Sequence, residues 1–154
     1  DTVEAIRLMD YDGNVREAVK DEFKVEYRSC SDFQTHIALA AVLRGRPDSQ
    51  ESIAQRMFAF NQKRWTTQPA APSAGCMFKN PAAIPAGKLV QELGLKGTRV
   101  GGALVSTQHG NFIVNDGTAT AKDVVQLIEL IQQRARTERG IELHTEVEII
   151  GDDQ

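Results

Sequence analysis

The stretch Gly75-Cys76-Met77-Phe78-Lys79-Asn80-Pro81 gathers a thiol, an ammonium and a carboxamide into one short segment. Its glycine, asparagine and proline mark a loop, and loops on a rigid scaffold often carry function. Such a loop presents backbone N–H groups, the Lys79 ammonium and the Asn80 amide to an anionic ligand. The competing reading is a plain connector with Cys76 as a small buried filler, and spacing alone favours it. Glu146 is the second candidate, because it falls out of phase with the apolar positions of its segment. Taken alone it reads as a solvated charge. Arg28, in Glu26-Tyr27-Arg28, is the third, although a lone arginine is usually a surface residue with an apolar stem. Lys96, and His109 with Gly110 and Asn111, are suited to line a pocket for an anionic or sugar ligand.

Other chemistries are excluded by type or spacing. His36, His109 and His144 have no metal-ligand spacing, so no metal site is expected. Neither a phosphate-binding loop nor the glycine fingerprint of a dinucleotide turn is present. No serine–histidine–acid set can be assembled. The net charge of -3 offers no basic stripe for nucleic acid. No apolar run approaches the roughly 20 residues that cross a bilayer, and no secretory leader is visible. A cytoplasmic, reducing location with Cys30 and Cys76 as free thiols is therefore expected. The first residue is Asp1, not Met, which suggests a piece of a longer protein.

The elements that must position these groups follow from periodicity. The 154 residues are 41% hydrophobic, enough for one ordinary core or two small ones. Val3 to Met9 and Val15 to Val19 read as strands around an Asp12-Gly13 turn. Thr35 to Leu43 reads as a buried strand. Asp48 reads as the N-cap of a helix, with Glu51 three residues on and Ile53, Met57 and Phe60 on one face. That helix should fade near Arg64 or Trp65. Residues 66–75, with two prolines and a glycine, read as a domain junction.

Beyond the junction, Ile84 to Leu93 is expected to be a short helix stopped by Gly94. Ala103 to Ser106 and Asn111 to Asn115 are expected to be strands. A capping box at Thr120 to Asp123 opens a helix that Gly140 ends, with Val124, Leu127, Ile128, Ile131 and Ala135 on one face. Leu143 to Ile150 reads as a last strand. The second half is thus helix, strand, strand, helix, strand: a small α/β layer structure within an α+β chain.

Several of these segments together resemble the flavin-dependent UDP-N-acetylenolpyruvoylglucosamine reductases (the MurB family). Gly75 to Pro81 is similar to that family's Gly-Ser-x-Phe-Lys-Asn-Pro signature. The likeness continues through Ala86-Gly87-Lys88-Leu89-Val90, Gly94-Leu95-Lys96-Gly97 and Arg99-Val100-Gly101-Gly102-Ala103. It runs on through His109-Gly110-Asn111-Phe112-Ile113-Val114-Asn115 and ends at Glu146-Val147-Glu148-Ile149-Ile150-Gly151. Upstream, Phe23 to Arg28, Lys63-Arg64 and Thr67-Gln68-Pro69 also fit.

The resemblance implies that residues 1–65 are the C-terminal part of an FAD-binding domain, and that residues 66–154 are a substrate-binding domain. It implies NADPH- and FAD-dependent reduction of UDP-N-acetylglucosamine enolpyruvate to UDP-N-acetylmuramate, for peptidoglycan precursor synthesis. In that reading Arg28, Cys76 and Glu146 are catalytic. Lys79, Asn80, Lys96, His109 and Asn111 line the substrate pocket. The partner is a UDP-sugar, with no nucleic acid and no membrane, and the protein is a monomer.

Two departures stand out. Cys76 replaces the family's proton-donating serine, and Ser29 to Phe33 is one residue longer than the usual spacing. No room for a tyrosine-loop insertion exists between Gly45 and Gly75, so the shorter variant is expected. FAD should be held mostly by an N-terminal part outside this sequence, leaving the chain inactive alone. The alternative is a non-catalytic nucleotide-sugar-binding or interaction domain of the same fold.

Overall fold

The computed structural model describes residues 2–151. Two compact units divide between Ile53 and Ala54. In the first, alternating side chains build strands Val3–Asp10 (β1) and Val15–Val19 (β2). The turn between them is closed by the Asp10 carboxylate, which accepts from the Asp12 N–H at 3.0 Å and the Asn14 N–H at 2.8 Å. Gly13 takes a positive φ of 88°, as a turn of this kind demands. A short hairpin follows, Val25–Glu26 (β3) and Ser29–Cys30 (β4), and then strand His36–Leu43 (β5). The main sheet has the order β2-β1-β5, antiparallel throughout.

Its core is slight: Ile6, Leu8 and Ala18, with Val3 and Phe23 packed against them. The expectation that β5 is buried is not met. Ile37, Leu39, Val42 and Leu43 are all exposed, Leu39 to 47%. An edge strand of a three-stranded sheet gains hydrogen bonds from β1 but no covering layer. Apolar composition records a demand for burial without supplying the surface that meets it.

Helix Gln50–Thr67 (α1) begins one residue later than its sequence signal. Ser49, not Asp48, caps it: the Ser52 N–H donates to Ser49 Oγ at 3.2 Å. Asp48 instead accepts from the Ser49 N–H at 2.7 Å. The helix also runs past Trp65, where the Thr66 and Thr67 hydroxyls bond back to the Lys63 carbonyl at 2.9 and 2.7 Å. The apolar face of Ile53, Met57 and Phe60 is exposed, and no residue of the helix is buried.

The second unit holds Ser73–Cys76 (β6), Ala86–Glu92 (α2), Arg99–Val100 (β7), Ala103–Val105 (β8), Phe112–Asn115 (β9) and Ala121–Arg139 (α3). The strands form one antiparallel sheet, β6-β9-β8-β7. Two of them, β6 and β7, extend the expected order. Conversely, Leu143 to Ile150 is not a strand. It makes one bridge, Thr145 to Phe78, because its partner is a short loop and not a ladder.

Helix α3 is held at both ends. Thr120 Oγ1 accepts from the Asp123 N–H at 3.2 Å, and the Asp123 carboxylate accepts from the Thr120 N–H at 2.9 Å. Gly140 closes it in the left-handed conformation, φ 63°. Its face of Leu127, Ile128, Ile131 and Ala135 is buried, and Val124 packs at the edge. These meet Leu89 and Val90 of α2, Ala103, Val105 and Ile113 of the sheet, and Met77 and Phe78 of the loop after β6. Burying each large aliphatic side chain contributes roughly 1.5–3 kcal/mol.

Candidate functional site

The loop that follows Cys76 leaves the sheet at that residue, the last of β6, which sits opposite Phe112 of β9. Met77 and Phe78 then turn into the core, 2% and 1% exposed. Two segments clasp them. On one side the Met77 N–H donates to the Asn111 carbonyl at 2.9 Å. On the other, the Glu146 N–H donates to the Met77 carbonyl at 2.7 Å, and the Lys79 N–H donates to the His144 carbonyl at 2.9 Å. The segments that carry Cys76 and Glu146, distant in sequence, are thereby joined through the Met77 carbonyl. Both residues are half-buried.

The Asn111 side chain is 3% exposed. Its Oδ1 accepts from the Phe78 N–H at 2.9 Å, and its Nδ2 donates to the Phe78 carbonyl at 2.8 Å. Its amide is thus engaged with the protein's own backbone. Lys79 and Asn80 are exposed at the far end of the loop. Asn80 Oδ1 accepts from the Ala86 N–H at 2.9 Å and so ties the loop to the start of α2.

His109 and Lys96 meet on the neighbouring turn. Ser106, buried at the end of the hairpin, accepts from the Gln108 and His109 N–H groups at 3.1 and 3.3 Å. His109 Nδ1 accepts from the Asn111 N–H at 3.2 Å, and its ring packs edge-on against Phe112. A Cβ on Gly87 would come within 2.9 Å of His109 Cε1, so only glycine leaves space for the ring. Burial first, and the Lys96 charge second, hold the imidazole pKa below its ordinary value. Lys96 Nζ donates to Gln91 Oε1 and to the Gln108 carbonyl, each at 3.4 Å.

Arg28 belongs to the first unit. It sits in the two-residue turn between β3 and β4 with φ 57°, the single non-glycine positive φ among the described residues. Its guanidinium stacks 5.4 Å from the centre of the Tyr27 ring. With Tyr27, Cys30 and Phe33 it borders an open depression of about 610 Å³.

Sequence reasoning did not find the roles of Ser106 and Trp65. Gln108 Nε2 donates to the Trp65 carbonyl at 3.0 Å, linking the end of α1 to the His109 turn. The signal available was a serine and an asparagine flanking a hairpin loop inside an apolar run. Among the described residues no group of three or more histidines, cysteines or carboxylates is placed to hold a metal, and no helix is long and apolar enough to cross a membrane.

Fold and site together define an α+β domain in which a thiol-bearing loop is gripped between two segments of its own chain, one of which carries Glu146. A family profile described as the C-terminal domain of UDP-N-acetylenolpyruvoylglucosamine reductase matches residues 68–150, and the chain belongs to that family. The UDP-N-acetylenolpyruvoylglucosamine reductase of Syntrophomonas wolfei is 39% identical over 99% of this chain and 52% of that protein. That of Bacillus velezensis is 42% identical over 94% of this chain and 49% of that protein. The crystal structure of the reductase from Thermus caldophilus superposes with a TM-score of 0.82 at 38% identity, over 96% of this chain and 53% of that one. The chain spans about half the length of the relatives it matches.

Proposed function

We propose that this chain is the catalytic C-terminal half of an NADPH- and FAD-dependent reductase that converts UDP-N-acetylglucosamine enolpyruvate to UDP-N-acetylmuramate. The observation that carries the reading is the grip on the loop after β6, which fixes the Cys76-Met77-Phe78 backbone between the Asn111 segment and the segment that carries Glu146. A thiol and a carboxyl group on joined segments suit a substrate that must be protonated while negative charge develops next to a carboxylate. The donor set fits the substrate side of such a site.

Flavin held in the full-length protein and reduced by NADPH would supply the hydride equivalent that the enolpyruvyl group takes up. The chain's own residues handle charge and protons. Arg28 binds the substrate carboxylate and stabilises the enolate that develops at C2. Glu146 acts with Arg28 in polarising the substrate carboxylate. Cys76 delivers the proton to C2. A thiol is mostly protonated at neutral pH and is a stronger acid than the alcohol it replaces. Lys79, Asn80, Lys96 and His109 line the pocket for the anionic UDP-sugar. Residues 1–65 complete the flavin domain, residues 66–154 form the substrate domain, and the protein acts as a cytoplasmic monomer.

The test separates the two half-reactions in the full-length protein by anaerobic stopped flow. Cys76→Ala is expected to leave flavin reduction by NADPH intact and to abolish flavin reoxidation by the enolpyruvyl substrate. Equal loss of both would reject the donor role. Failure of the unaltered protein to be reoxidised by the UDP-sugar would favour a non-catalytic binding domain.

A further inference from the structure

We propose that Asn111 is a positioning residue for proton delivery, acting through the Phe78 peptide to fix the Cys76 thiol. The inference rests on the catalytic reading above. Strand β6 ends its ladder at Cys76, opposite Phe112, after a register irregularity between Ser73 and Cys76. Beyond that point β9 offers no further backbone partner for Phe78. The Asn111 side chain takes over: one acceptor and one donor meet the Phe78 N–H and carbonyl at 2.9 and 2.8 Å. The Asn111 carbonyl holds the Met77 N–H as well, at 2.9 Å. One residue therefore grips the backbone of two consecutive residues immediately after the thiol.

On the opposite edge the same loop is bonded by Glu146 and His144. The loop behaves as a central strand whose one missing neighbour is a carboxamide. Only asparagine meets this need here. Aspartate keeps the acceptor but sets a carboxylate oxygen against the Phe78 carbonyl. Serine is too short to reach both groups. Glutamine carries an extra methylene into a fully packed space. Because both polar ends of Asn111 face the protein's backbone, its contribution to the reaction is placement and not ligand contact.

The experiment uses the full-length protein and three readouts: flavin reduction by NADPH, flavin reoxidation by the enolpyruvyl UDP-sugar, and the solvent deuterium isotope effect on reoxidation. Asn111→Asp and Asn111→Ser are expected to keep the rate of flavin reduction. Reoxidation should slow by about 10²-fold, the usual consequence of an ångström-scale misplacement. The solvent isotope effect should rise, because the displaced thiol makes proton transfer limiting. A purely structural role would lower thermal stability without raising that isotope effect.

Wild-type reoxidation in either variant, with an unchanged isotope effect, overturns the inference while leaving the catalytic reading intact. Loss of reoxidation in the unaltered protein would instead overturn the catalytic reading. Amide exchange keeps the test decisive if the variants do not fold. In the unaltered protein the Phe78 N–H should exchange slowly, like a core strand amide. Exchange at the rate of an exposed loop would overturn the clamp.

Discussion

The two units of this chain differ in how completely their apolar residues find partners. From Ala54 onward, α2, α3 and the sheet enclose a continuous core that includes Leu89, Val105, Leu127 and Ile131, all at 1% exposure or less. Up to Ile53, the cluster is Ile6, Leu8 and Ala18, while Val15, Val19, Val25, Ile37 and Leu39 stay exposed. Both units are rich in regular hydrogen bonding, so secondary structure is not what separates them. The difference teaches that strands form wherever pattern and turns allow, but independent stability needs a closed layer. The thiol-bearing loop grows from the well-packed unit, whose rigidity holds Cys76 and Glu146 in register.

The sharpest way to break this comparison is to separate the units. Residues 54–154 expressed alone should unfold in a cooperative thermal transition, whereas residues 1–53 alone should show none by circular dichroism or calorimetry. A cooperative transition in the shorter piece would refute the contrast. A finer version uses matched leucines. Leu127→Ala removes a fully buried side chain from α3 and should cost about 2–5 kcal/mol by denaturant unfolding. Leu39→Ala in β5 should cost under about 0.5 kcal/mol, since that side chain is already half in water.

How much of this was legible beforehand also divides along physical lines. Helix α3 carries every local signal at once: a capping box at Thr120, an apolar stripe at helical spacing, and Gly140 as its stop. Local and tertiary demands agree there, and the sequence reading holds from end to end. Strands β8 and β9 were legible for the same reason. Strand β6 was not, because Ser73-Ala74-Gly75-Cys76 has no apolar alternation and exists only through pairing with β9. The reverse error occurred at Leu143 to Ile150, where good alternation met too short a partner to become a ladder.

For the site, residue types and family resemblance pointed to Cys76 and Glu146. The joining of their two segments depends on backbone bonds between distant parts of the chain, which no local pattern encodes. The inward turn of Asn111 was equally hidden, because a carboxamide serves a ligand or a peptide with the same two groups.

The smallest expected effect sharpens the comparison at the edge of the well-packed unit, where burial and charge act together on His109. Burial is the larger cause of its lowered pKa and the Lys96 ammonium the smaller. The folded protein therefore resists protonating this ring while the unfolded chain takes up its proton near pH 6.5, the ordinary value. As pH falls below that point, the unfolded state binds more protons, and stability drops until the folded ring also titrates. Above that pH both forms are neutral, and His109 contributes no slope. Lys96→Met removes the charge but keeps most of the packing. The His109 midpoint, followed by imidazole proton–nitrogen NMR, should rise only part of the way back, because burial remains. The fall in stability on acidification should then begin at the same pH but end sooner. A full return to the ordinary midpoint would mean that the charge outweighs burial, and that this turn is wetter than the core it borders.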